Sequence, residues 1–168
     1  MKHLEIEMKT LLTEEEYDRL QAQFLEVTPV TQKNYYLDTP DFYLRKHKIA
    51  MRIRTFDTSA ELTIKIPQEV GNMEYNQALT LEEATYCLEE CKLPQGMIME
   101  ELNSRGLSPN GWVVLGCLTT VRYEKETAIG LMALDQSHYF DIVDYELELE
   151  VENGVQGNLD FQEFLRAN

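Results

Sequence analysis

Charged side chains alternate with apolar ones in the stretch Leu4–Lys9, near the start of the chain. At the two-residue period of a β-strand, Glu5, Glu7 and Lys9 share one face, and the apolar residues between them share the other. The two glutamates would lie about 7 Å apart along such a strand, and carboxylates are hard oxygen ligands for a divalent cation. A solvated strand face is the simpler interpretation, because antiparallel strands commonly have one wet side. The remaining strands must decide between these interpretations.

Charges on the other predicted strands are segregated by sign. The last long strand, Asp144–Glu152, is acidic on one face, with Glu146, Glu148 and Glu150. The middle strands contribute basic side chains: Arg52, Arg54, Lys65 and Arg122. A solvated exterior would more naturally mix the signs, so the pattern favours a barrel whose charged faces line a wet interior while its apolar faces point outward against helices.

Such an interior predicts a metal and a polyanion. Glutamates placed close together repel and raise one another's pKa unless a cation lies among them, which favours a divalent metal site. Oxygen-only ligands favour Mg²⁺ or Mn²⁺. Basic side chains facing that metal across a cavity suit phosphate oxygens, guanidinium groups in particular. The chain has no P-loop or glycine-rich cradle, so side chains must hold the anion.

Length and composition set further limits. The chain has 168 residues, of which 43% are hydrophobic, and this suits one domain over residues 1–168. It lacks an apolar run of about 18 residues and the apolar core of a signal peptide, so we expect a cytoplasmic protein with no membrane partner. Its three cysteines do not form a disulfide framework. The net charge of −15 argues against a nucleic-acid partner, which needs a basic patch.

The predicted elements follow one another as strands with few helical interruptions. Strands are predicted at 4–9, 32–37, 49–54, 61–66, 73–79, 113–117, 118–125, 129–135, 139–141 and 144–152, with a turn near Gln136. Capping boxes predict helices after Thr13 and Thr80, the second over Leu81–Cys91. Further helices are expected over 94–106 and 159–165. This succession favours an antiparallel sheet or barrel.

The order of these motifs resembles that of the CYTH superfamily, also called triphosphate tunnel metalloenzymes. Residues 5–9, Glu-Ile-Glu-Met-Lys, match its ExExK signature at the extreme N-terminus. The later strands agree in order and character: Tyr35–Asp38, Arg52 with Arg54, Lys65, Arg122, and Glu148–Glu150. The resemblance covers nearly the whole chain and is closest to small, stand-alone bacterial members. It implies an α+β fold, an eight-stranded antiparallel tunnel with a charged lumen and helices packed outside.

The resemblance also implies roles for residues at matching positions. The metal ligands would be Glu5, Glu7, Glu148 and Glu150, with Glu146 as a further candidate. The phosphate-binding residues would be Lys9, Arg52, Arg54, Lys65 and Arg122, and the catalytic set would be Lys9, Glu5 and Glu7. Asp135 lies where an acidic residue often ends the seventh strand. Many relatives have an arginine around Glu74, and this departure bears on substrate preference.

The activity implied by the resemblance is metal-dependent hydrolysis of a triphosphate, either inorganic triphosphate or an organic one such as ATP or thiamine triphosphate. Two alternatives stay open: cyclisation of ATP, as in a class IV-type adenylate cyclase, and binding of polyphosphate or nucleotide without turnover. A lipocalin-like carrier is disfavoured, because it needs an apolar interior. The acidic exterior suits a monomer or a homodimer.

Overall fold

Alternation of polar and apolar residues shapes the sheet in the computed structural model, which describes every residue from Met1 to Asn168. The strands are β1 (Lys2–Leu12), β2 (Val30–Asp38), β3 (Ala50–Thr55), β4 (Ala60–Pro67), β5 (Asn72–Leu79), β6 (Val113–Thr127), β7 (Gly130–Tyr139) and β8 (Ile142–Val151). They form a closed barrel in the order β1-β5-β4-β3-β2-β6-β7-β8. The predicted eight-stranded antiparallel barrel is therefore confirmed.

Helices lie in three of the connections between strands and follow the last strand. They are α1 (Glu14–Gln21), α2 (Tyr43–Lys46), α3 (Leu81–Glu90), α4 (Met97–Ser104) and α5 (Gly154–Ala167), with a 3-10 turn at Ala22–Phe24. Both predicted capping boxes are present, at the starts of α1 and α3. In each box the threonine hydroxyl accepts a hydrogen bond from the glutamate backbone, and the glutamate carboxylate accepts one from the threonine backbone. No helix combines the length and apolarity needed to cross a membrane.

The chain divides into two compact units. The first unit consists of Met1–Leu4 and Gln32–Leu118, and the second of Glu5–Thr31 and Thr119–Asn168. Each unit has an apolar cluster and a charged face of its own. The expectation of one domain over residues 1–168 stays a prediction.

In the first unit, the apolar face of β3 and β4 packs against α3 and α4. Ile53, Leu62 and Ile64 are fully buried, and Ala84 of α3 and Ile98 of α4 belong to the same cluster. Side chains alternate across a strand, so the polar residues between these apolar ones face the opposite side. Because helices cover the apolar face, the polar face lines the barrel interior.

In the second unit, β7 and β8 are covered by α1 and α5. Leu134, Leu147 and Leu149 are fully buried, and they cluster with Leu20 of α1 and Phe161 of α5. Burial of each leucine side chain contributes about 1.5–3 kcal/mol to stability. The charged residues that alternate with these leucines face the interior, which confirms the expected charged lumen with helices outside.

Two predicted strand boundaries are wrong. The sequence predicts two strands over 113–125, whereas Val113–Thr127 forms the single strand β6. The predicted turn near Gln136 does not occur, because Gln136 continues the alternation of β7 and pairs with Tyr145. The turn lies at Phe140, which is fully exposed and has a left-handed φ of 52°. A bulky aromatic residue is not a typical turn former, so the sequence gives no signal there.

Helix α5 begins earlier than the predicted range of 159–165. The side chain of Asn153 caps it by accepting a hydrogen bond from the backbone of Gln156. Gly157, in the second turn, allows a close approach to β8. A Cβ atom added there would lie 2.6 Å from Cγ2 and 2.8 Å from Cγ1 of Val151. The absence of a side chain at Gly157 therefore lets α5 pack directly on β8.

Gly157→Ala is expected to lower the free energy of unfolding by about 1–3 kcal/mol through overpacking against Val151. A loss of stability would be informative, because helix propensity alone favours alanine over glycine by about 1 kcal/mol and would raise the stability. Thermal unfolding would register a fall in Tm of about 2–4 °C per kcal/mol. The loss should shrink in a Val151→Ala background, which removes the overlapping methyl groups. Equal or higher stability of Gly157→Ala in the wild-type background would contradict the close packing.

Candidate active site

Strand register gathers charged residues on the interior face of the second unit. Lys9 of β1 lies opposite Glu148 of β8. On the other side of β8, Asp135 of β7 lies opposite Glu146. Directly opposed residues point to the same side of a sheet. This face therefore carries carboxylates on two neighbouring strands and an ammonium group on a third.

Asp135, Glu146 and Glu148 offer carboxylate oxygens that lie within 4.8 Å of one another. Burial raises the pKa of the Glu146 carboxyl group. The charge of Lys9 lowers that pKa, but the charges of Glu148 and Asp135 raise it, so the net shift is upward. A cation among these oxygens would offset both the burial and the repulsion that raise the pKa of Glu146. The donor set, made of hard oxygens only, fits a divalent metal.

Arg122 of β6 binds two members of this carboxylate group. Its Nε and Nη2 donate hydrogen bonds to Oδ1 and Oδ2 of Asp135 at 2.8 and 2.7 Å, and Nη2 also donates to Oε2 of Glu148 at 2.9 Å. Burial opposes the charge of the guanidinium group, but the hydrogen bonds and charge of Asp135, with the charges of Glu148 and Glu124, raise the pKa of Arg122 above its ordinary value. This predicted phosphate-binding residue is thus anchored by carboxylates of its own unit.

The predicted residues of β1 lie along the same interior face. Glu5 is buried, Glu7 is half-buried and Lys9 is exposed. Glu7 lies opposite Glu150 of β8, so two carboxylates share one cross-strand position. Like charges directly opposed are destabilising unless a cation compensates them. The register places predicted metal ligands on the adjacent strands β1 and β8, while their metal-binding role stays a prediction.

The interior face of the first unit carries the other predicted phosphate-binding residues, Arg52, Arg54 and Lys65. All three are half-buried on the face opposite the apolar cluster. Each lies beside polar or charged residues of a neighbouring strand. The hydrogen-bond and ion-pair partners of each basic side chain determine how that side chain can bind an anion.

Arg54 is oriented by two neighbours in its own unit. Its Nε donates a hydrogen bond to Oδ1 of Asn34 at 2.6 Å, and its Nη1 lies 3.9 Å from Oε1 of Glu61. Asn34 is almost completely buried, with 2% exposure, and accepts this bond from the neighbouring strand β2. A buried amide of this kind fixes the direction of the guanidinium group.

Lys65 belongs to a chain of polar side chains on β4 and β5. Its Nζ lies 3.7 Å from Oε2 of Glu74. Oε1 of Glu74 accepts a hydrogen bond from Nδ2 of Asn76 at 3.0 Å, and Oδ1 of Asn76 accepts one from Oγ1 of Thr63 at 2.7 Å. Thr63 lies opposite Arg52, so the chain joins the neighbourhoods of two predicted phosphate-binding residues.

Arg52 differs from the other cations of this face. Its Nε is buried and has no hydrogen-bond partner. Buried donors are normally paired, and an exception calls for a physical explanation. Because Arg52 lies on the interior face, an anionic ligand is the acceptor that its position suits.

Three residues contact charged side chains of these faces, but the sequence alone gives only a weak signal for their roles: Asp135, Asn34 and Asn76. Asp135 is the last residue of the predicted strand 129–135, and a turn expected next to it hides its alternation with the carboxylates of β8. The two asparagines are uncharged, and their contacts depend on which residues lie opposite them. The sequence of one strand does not specify which residues of the neighbouring strand lie opposite it, so these partners could not be predicted from the sequence.

The fold and its two faces define a class of protein, the closed antiparallel barrel with a charged interior and helices outside. Comparison with known proteins identifies the family within that class. The chain belongs to the CYTH domain family, whose model matches residues 3–168. The resemblance seen in the sequence motifs is thereby confirmed.

Relatives of this chain have names of two kinds. A Bacillus subtilis (strain 168) protein named "Putative triphosphatase YjbK" is 34% identical over 167 residues, which span 98% of this chain and 86% of that protein. A crystal structure of "a putative adenylate cyclase" from Bacillus halodurans is 36% identical with a TM-score of 0.92, over 99% of this chain and 90% of the other. A Hippeastrum structure, described as a "putative adenylyl cyclase" with a dominant triphosphatase activity, has a TM-score of 0.81 at 21% identity, over 98% and 87% of the two chains. That last similarity shows the fold alone.

Glu146→Gln is expected to raise stability at neutral pH by about 0.2–1 kcal/mol, because it removes a charge that burial and the neighbouring carboxylates disfavour. The raised pKa means that the folded chain disfavours the charged carboxylate. The contribution of Glu146 to stability is fully present below the ordinary glutamate pKa and is lost as the pH rises through the higher folded pKa. The advantage of the variant should therefore disappear towards about pH 4. Thermal unfolding in EDTA across this pH range measures it.

The control for Glu146→Gln is Glu163→Gln, since Glu163 is an exposed residue of α5. Both variants change the net charge equally, so the control reports the general relief of acidic repulsion. A stability gain that is the same in both variants, or a loss at neutral pH in Glu146→Gln, would show that Glu146 is not under local repulsion.

Proposed function

We propose that this chain is a metal-dependent triphosphatase, which hydrolyses the terminal phosphoryl group of inorganic triphosphate or of an organic triphosphate such as ATP or thiamine triphosphate. The observation that carries the proposal is the separation of charge in the barrel interior: carboxylates on β1, β7 and β8, and basic groups on β3 and β4. A triphosphate needs both, because its oxygens bind basic groups and its charge calls for a divalent cation. The name of the Bacillus subtilis relative agrees with this activity.

The carboxylates supply the donors for a divalent cation, with Mg²⁺ or Mn²⁺ favoured by an oxygen-only set. We assign the cation to these residues: Glu5, Glu7, Glu146, Glu148 and Glu150. Support comes from the short distances among the oxygens of Glu146, Glu148 and Asp135, and from the raised pKa of Glu146. A divalent cation bound there would neutralise phosphate oxygens and lower the pKa of water.

The basic residues hold the phosphate chain. The Nε–H group of Arg52 is buried and unpaired, so turning it towards an anion breaks no hydrogen bond inside the protein. Arg54 is already oriented by Asn34, which reduces the ordering needed when phosphate binds. Lys65 adds an ammonium group on the same face, and Lys9 adds one opposite Glu148. Arg122, held by Asp135, presents its charge beside the carboxylates.

In the proposed reaction, water attacks the terminal phosphorus atom in line with the bond to the leaving group. The new bond joins the water oxygen to phosphorus, the old phosphorus–oxygen bond breaks, and the remaining diphosphate leaves with the bonding electrons. The proton that the attacking water loses is released to solvent. Charge spreads over the equatorial oxygens of the transferred group. Arg52, Arg54 and Lys65 donate hydrogen bonds that stabilise this charge and the charge on the leaving oxygen.

Adenylate cyclisation is the second candidate, because the Bacillus halodurans relative is named "a putative adenylate cyclase". In that reaction the 3′-hydroxyl group of ATP replaces water and attacks the α-phosphorus, and pyrophosphate leaves. The same charged faces would serve both reactions. The identity of the product therefore distinguishes them.

The setting we propose is the cytoplasm, with a small-molecule triphosphate as the partner and the chain as a monomer or homodimer. The net charge of −15 disfavours a nucleic-acid partner, because a polyanionic backbone would be repelled outside the basic face.

Phosphate release from inorganic triphosphate, ATP and thiamine triphosphate, each with Mg²⁺, Mn²⁺ or EDTA, tests the proposed function. Release should depend on metal and fall to background in EDTA. Glu148→Gln and Arg52→Gln should each lower kcat/KM by about 10²–10³-fold, the usual loss when one stabilising group is removed. The double variant Glu5→Ala plus Glu7→Ala should be inactive. The same ATP samples, analysed for cyclic AMP, report the cyclase reaction.

Two charge-matched controls lie outside the barrel interior: Arg105→Gln on the C-terminal side of α4 and Glu163→Gln on α5. Both should keep wild-type turnover. Metal-independent release, or wild-type activity in the Glu5→Ala plus Glu7→Ala protein, would reject the scheme. Cyclic AMP as the main product from ATP would replace the triphosphatase with the cyclase.

A further inference from the structure

A buried carboxylate lies within the basic face of the first unit. Glu74 is only 8% exposed, and its Oε2 lies 3.7 Å from Nζ of Lys65. Burying a carboxylate is costly unless it is paired and hydrogen-bonded. A face that only had to attract phosphate would bind it more tightly without this negative charge. The position of Glu74 therefore requires an explanation beyond anion binding itself.

The carboxylate of Glu74 is held by more than its ion pair. Asn76 donates a hydrogen bond to Oε1 at 3.0 Å, and Thr63 in turn donates to Asn76 at 2.7 Å. The register supports both contacts, since Lys65 lies opposite Glu74 and Thr63 lies opposite Asn76. The carboxylate is thus fixed from the β4–β5 pair and stays beside Lys65 without depending on the flexible lysine side chain.

We infer that Glu74 is a positioning residue that sets the anion affinity of Lys65. The inference rests on the proposed function, in which Lys65 binds phosphate oxygens. An arriving phosphate must share the ammonium group with Glu74, so binding at this position gains less than it would from an uncompensated lysine. Weaker binding of substrate and of the diphosphate product keeps the product from blocking the site, which favours turnover.

Isothermal titration with inorganic triphosphate in EDTA measures this effect without turnover. Glu74→Gln keeps the size of the side chain and removes its charge, and it should bind inorganic triphosphate about tenfold more tightly, equivalent to about 1.4 kcal/mol. The dependence of affinity on salt should become steeper, because one more uncompensated cation meets the anion. In a Lys65→Gln background the gain should vanish, because Glu74 acts through Lys65.

Turnover gives an independent readout that a merely structural role would not produce. With Mg²⁺ present, Glu74→Gln should lower both KM and kcat, and pyrophosphate should inhibit it more strongly than it inhibits the wild type. Loss of fold would instead lower kcat and the unfolding temperature together. Glu74→Asp keeps the charge but draws the carboxylate back by one methylene group, so it should give a smaller tightening in the same direction.

The matched control is Glu101→Gln, since Glu101 lies on α4 and pairs with Arg105 at 3.6 Å. It removes the same charge and should leave triphosphate affinity unchanged. Unchanged affinity in a folded Glu74→Gln protein, or a gain that persists without Lys65, overturns the inference. If the wild type releases phosphate but Glu74→Gln binds as the wild type does, only this inference fails. If the wild type binds triphosphate without releasing phosphate, the proposed triphosphatase fails, and the affinities still decide the role of Glu74.

Discussion

Repulsion among the carboxylates of β8 is the constraint on which the second unit depends. Glu146, Glu148 and Glu150 recur at every second position, so they share one face of the strand. A one-residue shift in register would exchange the two faces of β8. It would take the carboxylates off the interior face, but it would also take Leu147 and Leu149 out of the apolar cluster. Packing of the leucines thus holds the carboxylates together against their mutual repulsion. The pKa of Glu146 is raised by burial first and then by the charges of Glu148 and Asp135.

The two units balance charge in opposite ways. In the second unit, cations compensate an excess of carboxylates, as Arg122 does for Asp135 and Glu148. In the first unit, carboxylates and amides compensate cations, as Glu74 does for Lys65 and Asn34 does for Arg54. Each unit therefore keeps a surplus of one sign on its interior face. Such surpluses are stable only beside counter-charges, which is why these faces suit ligands of opposite charge.

Periodicity in the sequence favoured an antiparallel sheet or barrel and gave the sign of each face, because alternation is a property of single strands. The count of eight strands came from the family resemblance. The capping boxes at Thr13 and Thr80 likewise depend on local residues only. The contacts that orient the site are different in kind. Asn34 and Asn76 act through residues on neighbouring strands, and the turn at Phe140 has no typical turn residue at its left-handed position. These features depend on register and packing, which one strand cannot specify.

The hydrogen bonds of Arg122 divide the acidic group by role. Both oxygens of Asp135 accept hydrogen bonds from the guanidinium group, whereas Glu148 contributes only Oε2. Asp135 is therefore the anchor of Arg122, and Oε1 of Glu148 lies outside that interaction. A metal can bind the same carboxylates as Arg122, because each carboxylate oxygen can accept more than one interaction. The acidic group can then hold the guanidinium of Arg122, for which we propose a phosphate-binding role, together with a divalent cation.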